Sequence, residues 1–258
     1  DEDHCGGLSA VLASTRTDAF YCSVDSWHTK AFSDVTKYVA EQGISVTIPQ
    51  AGDTFAFSDA SVEFLGPVVD YGDDPNEGSL VARVRYGETS FLFTGDMGFE
   101  AEDDMLAAGV DVSATVLKVA HHGSAGSSST EFLQAVHPQY AVISVGADND
   151  YGHPTEAALN RLAACGIPVY RTDLLGEIIA VSDGKTVTIT SASNEAPPAS
   201  DAASQTAGSY GYVGNSSSKV VHLASCGKLP GESNRVYFAS LDEALAAGYR
   251  KHANCFGN

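Results

Sequence analysis

Four short polar clusters in the sequence combine histidine or aspartate with an adjoining apolar stretch. They occupy residues 1–8, 93–97, 117–124 and 144–154. Imidazole and carboxylate groups together suit Zn, Mn or Fe. Two such ions bridged by a carboxylate would generate hydroxide at neutral pH and neutralise a phosphate during transfer. Four such clusters in one chain therefore indicate a metal-dependent site rather than four unrelated turns.

The first two clusters supply carboxylates. DEDHCGGL at 1–8 places Asp1 and Asp3 two residues apart, so an extended backbone would point both to one side, with His4 beside them. The second cluster, FTGDM, lets an apolar strand run into Gly95 and Asp96, which puts one carboxylate at a strand end. Taken alone, each cluster is also compatible with a charged terminus or a turn.

The other two clusters supply imidazoles. His121 and His122 follow a buried strand, and because adjacent residues diverge, one can bind metal while the other faces a substrate. Lys118 lies inside the buried run and needs a partner there. The last cluster delivers His153 just before a helix, where Pro154 fixes the chain direction. Exposed or helix-capping loops are the alternative interpretation of both.

The elements that must position these clusters alternate between strands and helices. Runs of apolar or alternating residues predict strands at 19–24, 44–48, 79–86, 90–94, 114–120, 140–145, 168–171, 177–181 and 186–190. Residues 54–64 are expected to form two short strands that turn near Asp59, and the strands at 79–86 and 90–94 are expected to form a hairpin that turns at Gly87 and Glu88. Helical spacing predicts helices at 29–42, 99–108, 130–136 and 155–165. The mixture of hairpins and strand–helix–strand units predicts an α/β fold with two sheets and helices outside. The clusters follow strand ends, where such folds place their sites.

Composition restricts the function classes. The chain has 258 residues, with 14 Lys+Arg against 33 Asp+Glu, a net charge of −19 and a pI near 4.5. That balance argues against broad electrostatic binding to nucleic acid or anionic membrane, but a local metal site remains compatible with it. No apolar run approaches 18 residues, so no transmembrane helix is predicted.

The cysteines, the composition and the first residue indicate where the protein acts and how it is processed. Five scattered cysteines argue against a disulfide scaffold. The low Lys+Arg count and the richness in Ser, Thr and Gly are typical of a secreted protein. Because residue 1 is Asp, inside a motif, we expect that an upstream segment has been removed.

A change in composition divides the chain. Residues 193–209 are small, polar and rich in Pro and Ala, which predicts a linker. Residues 1–192 hold 28 acidic and 9 basic residues, whereas the rest of the chain holds five of each. We therefore predict a first domain at 1–192, a linker at 193–209 and a second unit at 210–258.

The second unit carries two pairs of soft ligands. His222 and Cys226 are four residues apart, and His252 and Cys255 are three apart. A unit of about 50 residues has a thin core and often needs a cross-link. Two such pairs can form a tetrahedral zinc site. The alternative is a small α/β module with two free cysteines.

The order of the motifs resembles the metallo-β-lactamase superfamily, and more closely the nuclease-type hydrolase domain of ComEC-type competence proteins and their stand-alone relatives. The resemblance spans residues 1–190 and is carried by DEDHCGGL, NEGSLVARV, FLFTGDM, LKVAHHGSAGSSS, SVGADNDYGHP and RTDLLGEI. It implies an αββα sandwich with a metal site on one edge. In that family a further His stands two positions before Asp1 and a strand pair precedes it. The resemblance therefore implies a sandwich lacking its first strands.

Site roles follow from this resemblance by position. It implies two divalent metals, Zn or Mn, with Asp96 as the bridging carboxylate and the ligands Asp1, Asp3, His4, Asp96, His121 and His153. It implies a catalytic set of Asp3, His122 and Lys118, with the last two near the phosphate. Asn76, Ser79 and Ser124 would bind the substrate.

The second unit resembles the small zinc-binding module of the Ada DNA-repair protein through HLASC, NRVYFASLDEALAAGYR and HANC. The resemblance implies one structural zinc held by His222, Cys226, His252 and Cys255. Together the two resemblances imply a phosphodiester hydrolase of competence or DNA uptake, acting on single-stranded DNA or another phosphodiester at a bacterial cell surface or outside it. The alternatives are a non-catalytic surface or nucleic-acid-binding module with a degenerate metal site, and a hydrolase of a small nucleotide or lactone.

Overall fold

The structure is a computed structural model. It describes residues 2–192, 212–223, 226, 228–231, 234–238, 241–252 and 255. Asp1 and the predicted linker at 193–209 lie outside the described residues. The domain boundaries therefore stay predictions.

Strands and helices alternate through the first 192 residues. The strands are β1 Phe20–Tyr21, β2 Val46–Thr47, β3 Thr54–Phe57, β4 Ala60–Gly66, β5 Val81–Tyr86, β6 Thr89–Phe93, β7 Val116–Lys118, β8 Tyr140–Ile143, β9 Val169–Arg171, β10 Ile178–Ser182 and β11 Val187–Ser191. The helices are α1 Glu2–Cys5, α2 Leu8–Ser14, α3 Lys30–Glu41, α4 Phe99–Ala107, α5 Thr130–Val136, α6 Glu156–Ala164 and α7 Thr172–Leu175.

One seven-stranded sheet organises this part of the chain, with its strands in the sequential order β3 to β9. Strands β3 to β6 pair antiparallel, and β6 to β9 pair parallel. The predicted hairpin is confirmed, because Tyr86 pairs with Thr89 across a turn in which Gly87 has a φ of +59°. The parallel half brings the carboxyl ends of β6, β7 and β8 to one edge of the sheet.

The helix starts agree with their local chemistry. Thr29, Ser129 and Thr155 each cap a helix, since each side-chain oxygen accepts a hydrogen bond from the backbone N–H three residues on. Helices α4, α5 and α6 cover the sheet around one core. Its fully buried members include Leu92, Met97, Leu117, Phe132, Leu133, Ile143 and Leu162. This core holds the strand ends in fixed positions.

The second sheet that the sequence predicts is small. The described residues form a parallel pair of β1 with β2 and an antiparallel pair of β10 with β11. Several predicted strands are also shorter than expected: the run at 114–120 gives a three-residue strand and then a single 3-10 turn at Ala120–Gly123. The prediction of an extended backbone from Asp1 to Asp3 was wrong at Glu2 and Asp3, which lie in helix α1.

The C-terminal unit contains a four-stranded sheet. Its elements are β12 Tyr212–Asn215, β13 Val220–Leu223, β14 Arg235–Phe238, α8 Leu241–Ala246 and β15 Arg250–Lys251. The strand order is β14-β12-β13-β15, and β15 runs parallel to β13. A small core contains Val221, Val236, Phe238, Ala244 and Tyr249. Among the described residues, no helix has both the length and the apolarity to cross a bilayer.

Candidate metal centre

The candidate centre lies at the carboxyl ends of the parallel strands, where the sequence predicted it. Asp96 follows β6, His122 follows β7, and the loop after β8 carries His153. Helix α1 brings Asp3 and His4 to the same edge from the start of the chain. Four elements far apart in sequence therefore meet at one point.

Asp3, His4, Asp96 and His122 form a compact group whose ligand atoms all lie within 4.8 Å of one another. His4 Nε2 is 3.1 Å from Asp96 Oδ2 and 3.6 Å from Asp3 Oδ2. His122 Nε2 is 3.2 Å from Asp3 Oδ2, 3.6 Å from Asp96 Oδ1 and 3.3 Å from His4 Nε2. Donor atoms around one tetrahedral ion with bonds of about 2.0–2.2 Å are separated by about 3.3–3.6 Å. Five distances near that range indicate that the group fits a divalent cation.

The orientation of His122 is fixed by the main chain. Its Nδ1 lies 2.6 Å from the carbonyl oxygen of Ser144. A carbonyl oxygen can only accept, so Nδ1 carries the proton and Nε2 presents its lone pair to the group. His121 and His122 both have left-handed backbone conformations, with φ of 48° and 52°. Such conformations are costly for residues other than glycine and concentrate at functional sites.

Asp96 has the surroundings of a ligand. Only 7 % of the surface of Asp96 is exposed, and its Oδ1 has no hydrogen-bond donor among the described residues. A buried carboxylate oxygen without a donor is costly unless a cation balances it. The backbone N–H of Asp96 donates to Ser79 Oγ at 3.0 Å. Gly95 has a φ of +53°, and a Cβ there would lie 2.7 Å from Ser79, so this turn requires glycine.

Charge within the group is tightly coupled. The hydrogen bond to Asp96 raises the pKa of His4, in spite of partial burial. Burial raises the pKa of Asp96, but the hydrogen bond from His4 and the neighbouring histidines outweigh it, so the net pKa is lowered. Burial lowers the pKa of Lys118, although the negative charges of Asp96 and Asp3 act to raise it. Its Nζ donates to the carbonyl oxygen of Val119 at 2.8 Å.

A second set of possible ligands flanks the first. His121 Nε2 is 3.9 Å from Asp96 Oδ2, and the rings of His121 and His153 are 5.5 Å apart. Burial and the nearby His121 lower the pKa of His153, so its ring is available as a neutral ligand. Asn149 holds the His153 backbone through its side-chain amide, at 2.7 and 3.0 Å. Asp96 therefore lies between the two sets.

The structure gives several of the predicted site residues definite partners. The Nε2 atom of His122, a predicted catalytic residue, lies inside the group of four, because the Ser144 carbonyl turns the ring that way. The hydroxyl oxygen of Ser79, a predicted substrate-binding residue, accepts from the Asp96 backbone. Ser124 Oγ accepts from Gly126 N at 3.3 Å. Asn76 lines the cavity beside the centre.

Sequence reasoning missed two buried polar side chains, Glu102 and Arg161, beneath the loop at 124–129. Glu102 accepts hydrogen bonds from the backbone N–H groups of Ser128 and Ser129, at 2.5 and 2.7 Å. Arg161 donates to the carbonyl oxygens of Ala125, Ser127 and Ser128. Both charged side chains are almost fully buried. The loop that follows His121 and His122 is therefore fixed from below through its backbone.

The soft ligands of the C-terminal unit also meet. The ligand atoms of His222, Cys226, His252 and Cys255 lie within 4.8 Å of one another. His222 lies on β13, and His252 follows β15, whose backbone pairs with β13. The Cys226 Sγ to His252 Nδ1 distance is 3.9 Å, and that from Cys255 Sγ to His222 Nδ1 is 3.8 Å. Two thiols and two imidazoles at such spacing fit tetrahedral zinc.

The fold and the first site define a metal-binding α/β protein whose ligands follow the ends of parallel strands. Residues 1–147 match the metallo-beta-lactamase superfamily. The chain belongs to that superfamily, which confirms the expected fold class, and membership indicates a metal-dependent hydrolase.

More particular similarities are to competence and recombination proteins. The chain is 32% identical over 178 residues to ComE operon protein 3 of Bacillus subtilis and 36% identical over 179 residues to competence protein ComA of Neisseria gonorrhoeae. It is 30% identical over 181 residues to recombination protein 2 of Haemophilus influenzae. Each match covers 69% of this chain but only 21–23% of the relative. The chain therefore spans less than a quarter of these relatives.

Proposed function

We propose that this chain is a metal-dependent phosphodiester hydrolase, and specifically a DNA nuclease of the DNA-uptake type at the surface of a bacterial cell or outside it. The observation that carries the proposal is the group of Asp3, His4, Asp96 and His122, with its five distances of 3.1–3.6 Å. The similarity to proteins named for competence supports the choice of DNA as substrate.

Divalent cations, Zn or Mn, would supply Lewis acidity to water and to the phosphate at this centre. Asp3, His4, Asp96 and His122 would hold one ion, and His121 and His153 would complete a second set that shares Asp96. The side chain of Asp3 is 58 % exposed and that of Asp96 only 10 %. The centre is therefore more exposed to solvent at Asp3 than at Asp96.

Lys118 would add positive charge beside the phosphate. It is partly buried and electrostatically coupled to Asp96 and Asp3. The chain carries a net charge of −19, which would repel a polyanion at long range. A local cation under the centre, together with the metals, would reverse that field where the reacting phosphate lies.

In the C-terminal unit we propose one structural zinc, held by His222, Cys226, His252 and Cys255. The unit has a small core of about five buried side chains. Zinc binding would therefore supply much of its folding free energy.

Cleavage of a labelled single-stranded oligodeoxynucleotide, with and without added Mn or Zn, tests the hydrolase proposal. We expect metal-dependent cleavage by the natural chain and its loss in the double variant His121→Ala/His122→Ala. His137→Asn is the matched control, because His137 is exposed beyond α5 and has a left-handed φ of 48° that asparagine tolerates. Full cleavage by the double variant would overturn the proposal. Metal binding without any cleavage would favour the non-catalytic surface module.

A further inference from the structure

A cavity of about 380 Å³ adjoins the metal centre. The proposed binding of metal and phosphate leaves this cavity without a role. His4 and Asp96 are among its lining residues. The lining also contains five aromatic side chains, namely Phe20, Tyr21, Trp27, Phe32 and Tyr71. A volume of this size falls within the range of about 300–1,000 Å³ found for small-molecule sites.

Two of the aromatic rings, those of Tyr21 and Tyr71, are fixed by contacts with neighbouring residues. The Tyr21 ring stacks on Phe55 with centroids 5.1 Å apart and an interplanar angle of 6°. The Tyr71 hydroxyl donates to Asp104 at 2.9 Å. Rings that are held in place before a ligand arrives lose little freedom on binding, so they favour a flat, rigid partner.

Charge around the cavity bears on which part of a nucleic acid it can hold. Asp70 and Asp74 line the cavity as exposed carboxylates, and they would repel a phosphate. Cations held by His4 and Asp96, which line the same cavity, would attract one. The part of the ligand that lies against the aromatic rings is therefore expected to be uncharged.

We propose that this cavity binds an unpaired nucleobase of the strand whose phosphate lies at the metal centre. This inference rests on the proposed function, and it narrows the substrate to nucleic acid with unpaired bases. A base within a duplex is stacked on both faces and paired along its edge, so it must leave the helix before it can enter such a site. Stacking on aromatic side chains is tolerant of sequence, so binding here selects strandedness rather than a particular base.

Trp27 gives a direct readout, because it is the single tryptophan of the chain and lines the cavity. The full chain, loaded with Zn, is titrated with a ten-residue thymidine oligomer joined by cleavage-resistant phosphorothioate linkages while tryptophan emission is recorded. The control is an abasic oligomer of the same length and linkages, which has the same charge and no bases. We expect the thymidine oligomer to quench the emission and the abasic oligomer to leave it unchanged. The same thymidine oligomer paired with its complement should also leave it unchanged.

Variants give a second measurement by fluorescence anisotropy of a labelled thymidine oligomer. Trp27→Ala should weaken binding about tenfold or more, whereas Trp27→Phe should restore most of it, because a ring that stacks remains. Phe57→Ala is the matched control, since Phe57 is an exposed aromatic residue on β3 outside the cavity wall. It should bind as the natural chain does.

The outcomes separate this inference from the proposed function. Equal responses to the thymidine and abasic oligomers, with metal-dependent cleavage intact, would overturn the base site and leave the nuclease standing. Base-dependent quenching in a chain that cleaves nothing under any metal would support the base site and overturn the nuclease. Equal weakening by Trp27→Ala and Phe57→Ala would contradict the assignment of the cavity.

Discussion

The Nδ1 nitrogen of His122 lies 2.6 Å from the carbonyl oxygen of Ser144, and this contact decides which nitrogen faces the metal centre. The opposite nitrogen, Nε2, is 3.2 Å from Asp3 Oδ2. A ring held in this tautomer and orientation needs no rearrangement to bind a cation. The loop after β8 therefore contributes to the centre through its main chain.

Asp96→Asn should remove most of the metal affinity of the first centre. The substitution keeps the shape of the side chain but removes the negative charge between the two sets of ligands. Loss even of a group that only orients a ligand costs about 10–100-fold in metal affinity, so we expect at least that loss here. Isothermal titration with Mn or Zn measures it. Asp59→Asn, on the exposed turn after β3, should bind as the natural chain does, and equal affinity of the two variants would contradict the assignment.

Ser79→Ala should destabilise the turn that presents Asp96. The backbone N–H of Asp96 would lose its acceptor, and an unsatisfied buried donor costs about 1–3 kcal/mol. Denaturant unfolding of the natural chain and the variant measures the difference. Ser61→Ala is the comparison, since Ser61 is exposed on β4. A change below about 0.5 kcal/mol in both variants would show that the Ser79 hydroxyl does not support Asp96.

Glu102 should make stability depend on pH. Burial raises the pKa of Glu102 from 4.5 to about 7, against the hydrogen bonds from Ser129 and Ser128. Between these values the folded chain binds the proton more tightly than the unfolded chain. The contribution of this carboxyl to stability is therefore complete below pH 4.5 and is lost as the pH rises to about 7.

The Glu102→Gln variant isolates that contribution. The free energy of unfolding is measured for the natural chain and the variant from pH 4 to pH 8. The value for the natural chain minus that for Glu102→Gln should fall over this range and level off above about pH 7. Histidines titrate in both proteins and cancel in the difference. A difference that is constant with pH would contradict the raised pKa.

Cys226→Ser should remove one zinc equivalent without affecting the first centre. A serine hydroxyl is a poor substitute for a thiolate ligand. Metal analysis of the purified chain should show one zinc fewer, and titration of the first centre with Mn should be unchanged. Cys165→Ser is the matched control, because Cys165 is a free thiol at the end of α6. Loss of zinc in the control as well would contradict the four-ligand site.

Much of the framework could be predicted because its signals are local. Helical spacing placed α3, α5 and α6 within one residue of their observed ends, and Gly87 marked the hairpin turn. The meeting of Asp96 with the histidines followed from the geometry of parallel strands, whose carboxyl ends share one edge. The resemblance to the metallo-β-lactamase superfamily supplied the order of these motifs, and the superfamily match confirms that resemblance.

Other features depend on distant residues. Which of the two histidines, His121 or His122, faces the group of four depends on Ser144, which lies 22 residues after His122, and on two left-handed backbone conformations. Glu102 has Glu100 two residues before it and two aspartates directly after it, which is typical of a solvated helix face. The structure nevertheless buries it fully against the backbone of Ser128 and Ser129. No local pattern marks such residues, because only the folded chain brings their partners to them.

The parallel pairing of β13 with β15 places Val220 beside Arg250, thirty residues later in the chain, and the two histidines that follow this register, His222 and His252, share one group of ligands. A zinc ion bound there, as we propose, would hold the two strands in register. Without it, the pairing would depend on main-chain hydrogen bonds and a small core. The seven-stranded sheet has a larger core of its own and would keep its strand order.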